Sequence, residues 1–204
     1  EGAKKLTSLD VSQNELLYLL YASANGLEGG DPTPEDYGSL TQVLLPKGGE
    51  LSDVTLEFHL LESIDLSEMT NSNLDVYLRG NKLNSVNLTG VSGSDFNLDL
   101  SLNDLDSIDL TGIVGVDAVV RLDENPLKKA TLGSVYEVSL VDNPDLYCAL
   151  VDDVAYAEAN YFYDEQLTFT TVACENFEAE ILSFDLPFQE GDEVIDGERE
   201  TIMI

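Results

Sequence analysis

Basic residues are scarce in this 204-residue chain, which has 9 Lys and Arg against 40 Asp and Glu, a formal net charge of −31. A surface of this sign repels phosphate backbones and anionic headgroups, which argues against nucleic acid and acidic membranes as partners. The apolar fraction of 43% is ordinary, so the acidic residues belong to a folded body rather than a disordered tail. No run of 18 apolar residues occurs, and we expect no transmembrane segment.

Residues that carry catalysis are equally scarce. The sequence has one histidine, His59, and no GxGxxG, GxxxxGK[ST], HExxH or GxSxG motif, so it offers no catalytic triad, cofactor or metal site. Cys148 and Cys174 have neither a CxxC partner nor a nearby histidine, which argues against zinc. A disulfide between them is favoured and would imply an oxidising, exported location; the alternative is two free buried thiols. We expect a protein that is not an enzyme.

What the sequence does contain is a pair of interleaved repeats. The pattern L-x-x-Φ-x-Φ, where Φ is apolar, begins at residues 61, 83, 105 and, weakly, 127, a constant step of 22 residues, and it also occurs at Leu6 and Leu40. A second pattern, Φ-x-Φ-x-x-N, alternates with it. Its polar positions are Asn25, His59, Asn81, Asn103, Asn125 and Asn143. Each repeat therefore contains two short extended segments.

The physics of stacked strands explains both patterns. Alternating apolar residues such as Leu74, Val76 and Leu78 mark a strand with one buried face, and stacked coils build a continuous core. The corner after each strand buries peptide groups that lack strand partners, and a stacked asparagine can satisfy them with its donors and acceptor. A neutral histidine offers one donor and one acceptor. We therefore interpret His59 as a member of this structural ladder rather than as a general base.

These motifs resemble the leucine-rich repeat family, whose core is LxxLxLxxNxL. The match lies in "LTSLDVSQNEL" (6–16) and "LYLLYASANGL" (17–27), and residues 143–174 resemble the disulfide-closed C-terminal cap of secreted and cell-surface Bacteroidetes repeat proteins. The resemblance covers about residues 5–174. It implies a mostly β repeat solenoid with 22-residue coils, a parallel concave sheet, short extended segments on the opposite face and little helix. It also implies a secreted or outer-membrane surface location.

We expect three segments along the chain. Residues 1–143 are repeats with an insertion loop at 28–39, residues 144–174 are the cap, and 175–204 begin a β-sandwich-like module or linker of a longer chain. The insertion loop carries several acidic residues and could bind a cation or a partner. A solvated acidic loop is the alternative we favour, because the spacing of a calcium-binding loop is absent.

The strand alternation also predicts which side chains point outward on the concave face, where leucine-rich repeat proteins usually bind partners. These candidate binding residues are Tyr21, Asp53, Thr55, Glu57, Asp75, Tyr77, Arg79, Asn97, Asp99, Ser101, Arg121, Asp123 and Ser139. Tyr77 beside Arg79 and Arg121 has the composition of a binding hot spot; alternatively, the arginines only neutralise neighbouring aspartates.

The expected function is a non-catalytic protein–protein interaction module that binds a secreted or outer-membrane protein through this face. Alternatives are a glycan-binding accessory of an outer-membrane uptake system and a structural spacer. In addition, the sequence Asp106-Ser107-Ile108 resembles a Bacteroidetes O-glycan sequon, which makes Ser107 a candidate acceptor.

Overall fold

A computed structural model describes residues 5–24, 33, 37–48 and 50–174, with the side chains of residues 115 and 116 excepted. The first compact unit of the chain ends at Cys174. The module expected at 175–204 therefore lies outside the described residues, as does most of the insertion loop.

One side of the solenoid is a seven-stranded parallel sheet, with strands numbered in chain order. From one edge to the other its strands are β2 (Leu19–Tyr21), β4 (Asp53–Thr55), β6 (Asn73–Tyr77), β8 (Val91–Asp99), β10 (Ile113–Arg121), β12 (Glu137–Leu140) and β14 (Phe162–Tyr163). Each strand pairs with the strand one coil away, which is the topology that the repeat predicts.

The other side consists of shorter parallel segments. Strands β1 (Ser8–Asp10) and β3 (Gln42–Leu44) pair with each other, as do β5 (Ser63–Asp65) and β7 (Ser85–Asn87). A four-stranded sheet contains β9 (Ser107–Asp109), β11 (Lys129–Gly133), β13 (Cys148–Val151) and β15 (Thr168–Thr170). The expected fold class is confirmed: the described chain is a mostly β parallel solenoid with coils of about 22 residues and a single short helix.

The core lies between these two sides. On the seven-stranded sheet, Val54 pairs with Val76 and Val76 with Leu98, so the same inward column continues from coil to coil. These three side chains are at most 1% exposed. From the opposite side, Leu61, Leu83, Leu105 and Leu127 meet them, all at 0% exposure. The repeat therefore buries its two apolar patterns against each other, as the alternation predicts.

The C-terminal end of the core is covered by the segment after β12. Helix α1 (Val154–Asn160) begins after Asp153, whose carboxylate accepts a hydrogen bond from the Tyr156 N–H at 3.1 Å, a normal N-cap. Ala157 on this helix is fully buried against the core. The expected disulfide is present between Cys148 and Cys174, which are 26 residues apart. It ties the end of this segment to strand β13.

Candidate functional site

Stacked asparagines occupy the corners after four successive strands of the seven-stranded sheet, β6, β8, β10 and β12. The Asn103 amide donates to the carbonyls of Leu100 in its own coil, at 3.0 Å, and Leu78 in the preceding coil, at 3.1 Å, while its oxygen accepts from the Leu83 N–H. Asn81 and Asn125 repeat this pattern, and all three are buried. Consequently, the carbonyls of Leu78, Leu100 and Leu122 each accept from two ladder amides.

His59 lies in the same column and is 1% exposed. Its Nε2 contacts the Ala22 carbonyl, and because a carbonyl only accepts, Nε2 carries the proton. This is the bond to the preceding coil. The second ring nitrogen, Nδ1, has no hydrogen-bond partner among the described residues, and the Leu56 carbonyl accepts from Asn81 but not from His59. His59 therefore fills the ladder position incompletely and faces no catalytic partner in this part of the chain.

At the other described end of the ladder, Asn143 also bonds incompletely. Its amide donates to the Leu122 carbonyl at 3.1 Å and the Leu140 carbonyl at 2.9 Å, but its oxygen is buried without a partner in the described chain. Asn143 follows Asn125 by 18 residues, whereas the ladder positions from His59 to Asn125 are 22 residues apart. This shorter coil changes the spacing that brings a backbone N–H of the preceding coil to the amide oxygen of Asn81, Asn103 and Asn125. Asn25 lies outside the described residues.

A left-handed backbone precedes each described ladder residue, which the sequence pattern did not indicate. The positive-φ residues at this corner are Phe58, Gly80, Leu102, Glu124 and Asp142, with φ of 58°, 70°, 56°, 55° and 60°. Only one of the five is glycine, although other residues are strained in this conformation. Gly80 also has no room for a side chain, because a Cβ at this position would lie 2.3 Å from a ring carbon of Phe58. At the other four corners, a residue other than glycine adopts a left-handed conformation that it would not prefer, because the buried ladder holds the backbone there.

A second repeated corner follows the short strands on the opposite side. Asp65 accepts from the Ser67 N–H at 3.0 Å and from Lys47 Nζ at 2.5 Å. Burial raises the pKa of the Asp65 carboxyl, but the hydrogen bonds from Lys47 and Ser67 outweigh it and lower the pKa to about 2. Glu68, three residues after Asp65, has a φ of 63°. The equivalent position in the next coil is Gly90, with a φ of 73°. The Asp65 carboxylate therefore stabilises the turn of the chain at this corner.

The outward side chains of the seven-stranded sheet form three columns across the strands. The register aligns the central column, in which each residue pairs with the next. Its members are Tyr21, Thr55, Tyr77, Asp99, Arg121, Ser139 and Phe162. The structure thus brings the sequence-predicted binding residues together on one surface, which we call the outer face of the sheet.

Neutral donors hold many of the carboxylates on this face. Asp53 accepts from the Tyr21 hydroxyl at 2.5 Å and from Thr55 at 3.0 Å. The side chain of Asn97 donates to Asp75 at 2.6 Å, and Ser139 donates to Asp123 at 2.5 Å. These hydrogen bonds hold the carboxylates in place, and all their donors are uncharged side chains. The outer face is therefore an ordered acidic surface.

The two arginines of the outer face differ in their surroundings. Arg79 donates to Ser101 Oγ and to Glu124 Oε1, both at 3.2 Å, and its side chain is only 25% exposed. Ser101, expected as an exposed binding residue, is 2% exposed because the Arg79 side chain donates to it and Asp99 accepts from its hydroxyl. Ser101 therefore holds the Arg79 side chain by a hydrogen bond and is too buried to contact a binding partner.

Arg121 is exposed, and its guanidinium has no hydrogen-bond or ion-pair partner within the described part of the chain. Asp99 separates it from Tyr77 in the central column, so the two side chains are roughly 10 Å apart at about 4.8 Å per strand. Burial and the carboxylates of Asp75 and Asp53 raise the pKa of the Tyr77 hydroxyl, while Arg121 opposes that rise. The Arg121 guanidinium, without a partner in the described chain, thus lies among the carboxylates of the outer face.

Glu57 shows how strongly acidic this face is. Burial raises the pKa of its carboxyl, the negative charge of Asp99 raises it further, and Arg79 and the Ser23 hydroxyl oppose the change. A positively charged group brought to this place would lower the pKa again. The face is therefore electrostatically suited to a basic surface.

The sheet also extends one strand further than the repeat pattern predicted. Strand β14 pairs in parallel with β12, and it places Phe162, 57% exposed, beside Ser139 in the central column. The signal was present in the sequence, because Tyr161 and Tyr163 flank Phe162 in strict alternation, with Tyr161 buried and Tyr163 half-buried. The cap therefore covers the last edge of the sheet by adding a strand to it.

The remaining sequence-predicted sites lie away from this face. Ser107 is exposed on the four-stranded sheet, where its hydroxyl donates to Asp106 at 2.9 Å. In the insertion loop, Tyr37 packs edge-on against Phe58 with ring centroids 5.6 Å apart. The loop acids Glu28, Asp31, Glu35 and Asp36 lie outside the described residues.

Within the described ranges, no group of three or more His, Cys, Asp or Glu side chains is arranged to hold a metal ion. In the same part of the chain, no helix has the length and apolar character needed to span a bilayer.

The geometry defines the chain up to Cys174 as a parallel β-solenoid whose C-terminal end is closed by a disulfide-linked cap. Comparison with protein-family models, curated proteins and solved structures finds no match.

Proposed function

We propose that the chain is a non-catalytic interaction module that binds another protein through the outer face of the seven-stranded sheet. The observation that carries the proposal is Arg121, an exposed guanidinium without an internal partner in the described chain, held between ordered carboxylates on a rigid sheet. Arginine and tyrosine are among the residues most enriched at binding hot spots, and Tyr77 lies in the same column.

The chemistry of this face defines the partner. A carboxylate of the partner would pair with Arg121, while its lysines and arginines would meet the surrounding aspartates and Glu57. Phe162 at the cap end and Tyr21 at the other end, 57% and 61% exposed, supply apolar contact area. We therefore infer a partner surface that is basic overall, with an acidic residue at its centre.

Partner capture with the full chain as bait tests this function. The double substitution Tyr77→Ala with Arg121→Ala should lower retention of the captured protein at least tenfold, with the melting temperature of the bait unchanged. Arg121→Glu alone, at a position without internal bonds, should do the same by placing a like charge in the acidic field. A matched control, Tyr147→Ala with Lys129→Ala, lies off this sheet and should retain the partner. Undiminished binding by both outer-face variants would refute the proposal.

We further propose that the chain is a leucine-rich repeat protein of the secreted or cell-surface Bacteroidetes type, divided at residues 143 and 174 into repeats, cap and a following module. The spacing of the buried leucines, the asparagine ladder and the disulfide support it. Protease shaving of intact cells of the source organism should release peptides of this chain. Recovery of the protein only after lysis, with Cys148 and Cys174 reduced, would contradict the exported location.

A further inference from the structure

A notch lies between the connection from β11 to β12 and the start of the cap helix α1. It has a volume of about 230 Å³ and is lined by Ser134, Tyr136, Asp152, Asp153 and Tyr156, among others. A second hollow of about 150 Å³ adjoins it and shares Ser134 and Asp152. Both hollows lie where the last coil meets the cap helix.

Hydrogen bonds to the connection hold the aromatic wall of the notch in place. The Tyr156 hydroxyl donates to the Tyr136 carbonyl at 2.9 Å, and the Tyr161 hydroxyl donates to the Val135 carbonyl at 2.8 Å. The rings of Tyr156 and Tyr161 also pack edge-to-face, with centroids 6.1 Å apart. Tyr136 and Tyr156 nevertheless remain 50% and 37% exposed. The fold thus holds the Tyr156 ring in place and leaves both this ring and the Tyr136 ring accessible to solvent.

Hydrogen-bond acceptors with spare capacity lie beside these rings. Asp152 accepts from the Ser134 hydroxyl through Oδ2, and Asp153 accepts from the Tyr156 N–H through Oδ1. In the described chain, the other oxygen of each carboxylate has no hydrogen-bond donor. Both carboxylates are held by one bond and can accept a second from a ligand. None of the described lysines and arginines lines the notch, which argues against an anionic ligand.

We propose that this notch binds one ring of a neutral saccharide. Sugar hydroxyls would donate to Asp152 and Asp153, and the apolar C–H face of the ring would lie against Tyr136 or Tyr156. Such a ligand uses every group the notch offers: aromatic surface, carboxylate acceptors and the Ser134 hydroxyl. This site is separate from the outer face of the sheet and does not depend on the function proposed there.

Nuclear magnetic resonance titration of the ¹⁵N-labelled full chain with maltotriose, cellotriose, mannotriose and chitotriose tests the proposal. At least one trisaccharide should cause saturable shifts of the amides of Gly133, Ser134 and Asp152. Tyr136→Ala removes an exposed ring but keeps the backbone carbonyl that holds Tyr156, and it should weaken that binding at least tenfold. The control Tyr147→Ala, a similarly exposed ring outside the notch, should not change it.

Two further measurements distinguish sugar binding in the notch from binding at the outer face and from cation binding. Arg121→Glu should bind the same trisaccharide normally, since it alters only the outer face of the sheet. Tetramethylammonium serves as a probe for an aromatic cage that binds cations. Shifts in the notch with tetramethylammonium and none with the sugars would overturn the proposal, as would unchanged sugar binding by a folded Tyr136→Ala variant, or the absence of shifts with all four sugars.

Discussion

Replacing His59 with asparagine, alone and together with Gly38→Ala, tests how the ladder is built. The ring of His59 lies directly over Gly38: a Cβ at residue 38 would be 2.1 Å from Nδ1 and 2.2 Å from Cε1. Histidine at position 59 therefore requires glycine at position 38. An asparagine side chain is shorter and would leave that space open.

The expected magnitude for His59→Asn follows from three contributions. An asparagine amide could donate to the Leu56 carbonyl as well as to Ala22, adding a hydrogen bond of about 1 kcal/mol. It exchanges the buried Nδ1 that lacks a partner for an amide oxygen, which is also an acceptor, so this change adds no net stabilisation. Against the added hydrogen bond, the lost ring atoms leave a cavity that costs about 1–2 kcal/mol. We expect the free energy of unfolding to stay within about 1 kcal/mol of the parent value.

The second substitution shows whether the ring and the glycine are coupled. Gly38→Ala alone should destabilise the protein by about 2–3 kcal/mol, because the buried ring cannot move away from the new methyl group. With asparagine at residue 59 the methyl group would partly fill the cavity, although it still lies 2.9 Å from the Ala24 Cβ. The double variant should therefore be more stable than additivity predicts by at least about 1 kcal/mol.

Urea unfolding at 25 °C, followed by far-ultraviolet circular dichroism, measures all four proteins of this cycle. His59→Ala serves as a control that removes the donor to Ala22 without replacing it, and it should lose about 2–3 kcal/mol. A large loss of stability in His59→Asn, or strictly additive effects of the two substitutions, would refute the placement of His59 in the ladder.

Three further predictions concern single features of the solenoid. Glu68→Gly should raise the free energy of unfolding by up to about 1 kcal/mol in urea, since it relieves a left-handed residue, whereas Glu62→Gly, exposed and without positive φ, should lower it. The pKa of Asp65 is lowered to about 2, so its stabilisation is present above the unfolded value near 3.8 and disappears as the pH falls towards 2. The stability difference between the parent and Asp65→Asn, less than about 1 kcal/mol for this exposed pair, should shrink over that interval in acid titrations of unfolding. Replacing Cys148 and Cys174 with alanine should lower the unfolding free energy by about 3 kcal/mol, measured by thermal and urea unfolding.

The opposite result would contradict each of these three predictions. A loss of stability in Glu68→Gly would show that the glutamate side chain makes a contact worth more than the backbone strain. A pH-independent difference for Asp65→Asn would show that the bond from Lys47 does not stabilise that corner. An unchanged unfolding curve for the cysteine variant would show that packing alone holds the cap.

The coil architecture was predictable from the sequence because its signal is periodic. Leucines at a constant step must be buried on one side, and asparagine in a fixed place after each strand indicates a corner with unpaired peptide groups. The same periodicity placed His59 at a corner. The outward columns followed from alternation alone, since a strand has only two faces.

Corners and chain ends were less predictable. Glu124, the partner of Arg79, stands 45 residues away in sequence at a left-handed corner, where strand alternation no longer determines the direction of a side chain. The burial of Ser101 follows from that same placement of Arg79. Strand β14 was missed because the cap departs from the repeat pattern, although its aromatic residues alternate. The positive φ at Leu102 has no local signal, because packing imposes it against the preference of leucine.

The carbonyls of Leu78, Leu100 and Leu122 each accept hydrogen bonds from the ladder amides of two neighbouring coils, and this affects how the solenoid unfolds locally. Each asparagine joins only its own coil to the preceding one, so cooperativity passes between nearest neighbours rather than across the whole molecule. The inward residues of the first coil, such as Leu9 and Val11, are only partly buried, while those of the central coils are sealed on both sides. Local fraying should therefore begin at β2 and proceed coil by coil, and amide hydrogen exchange should slow steadily from β2 through β6 to β8 and β10.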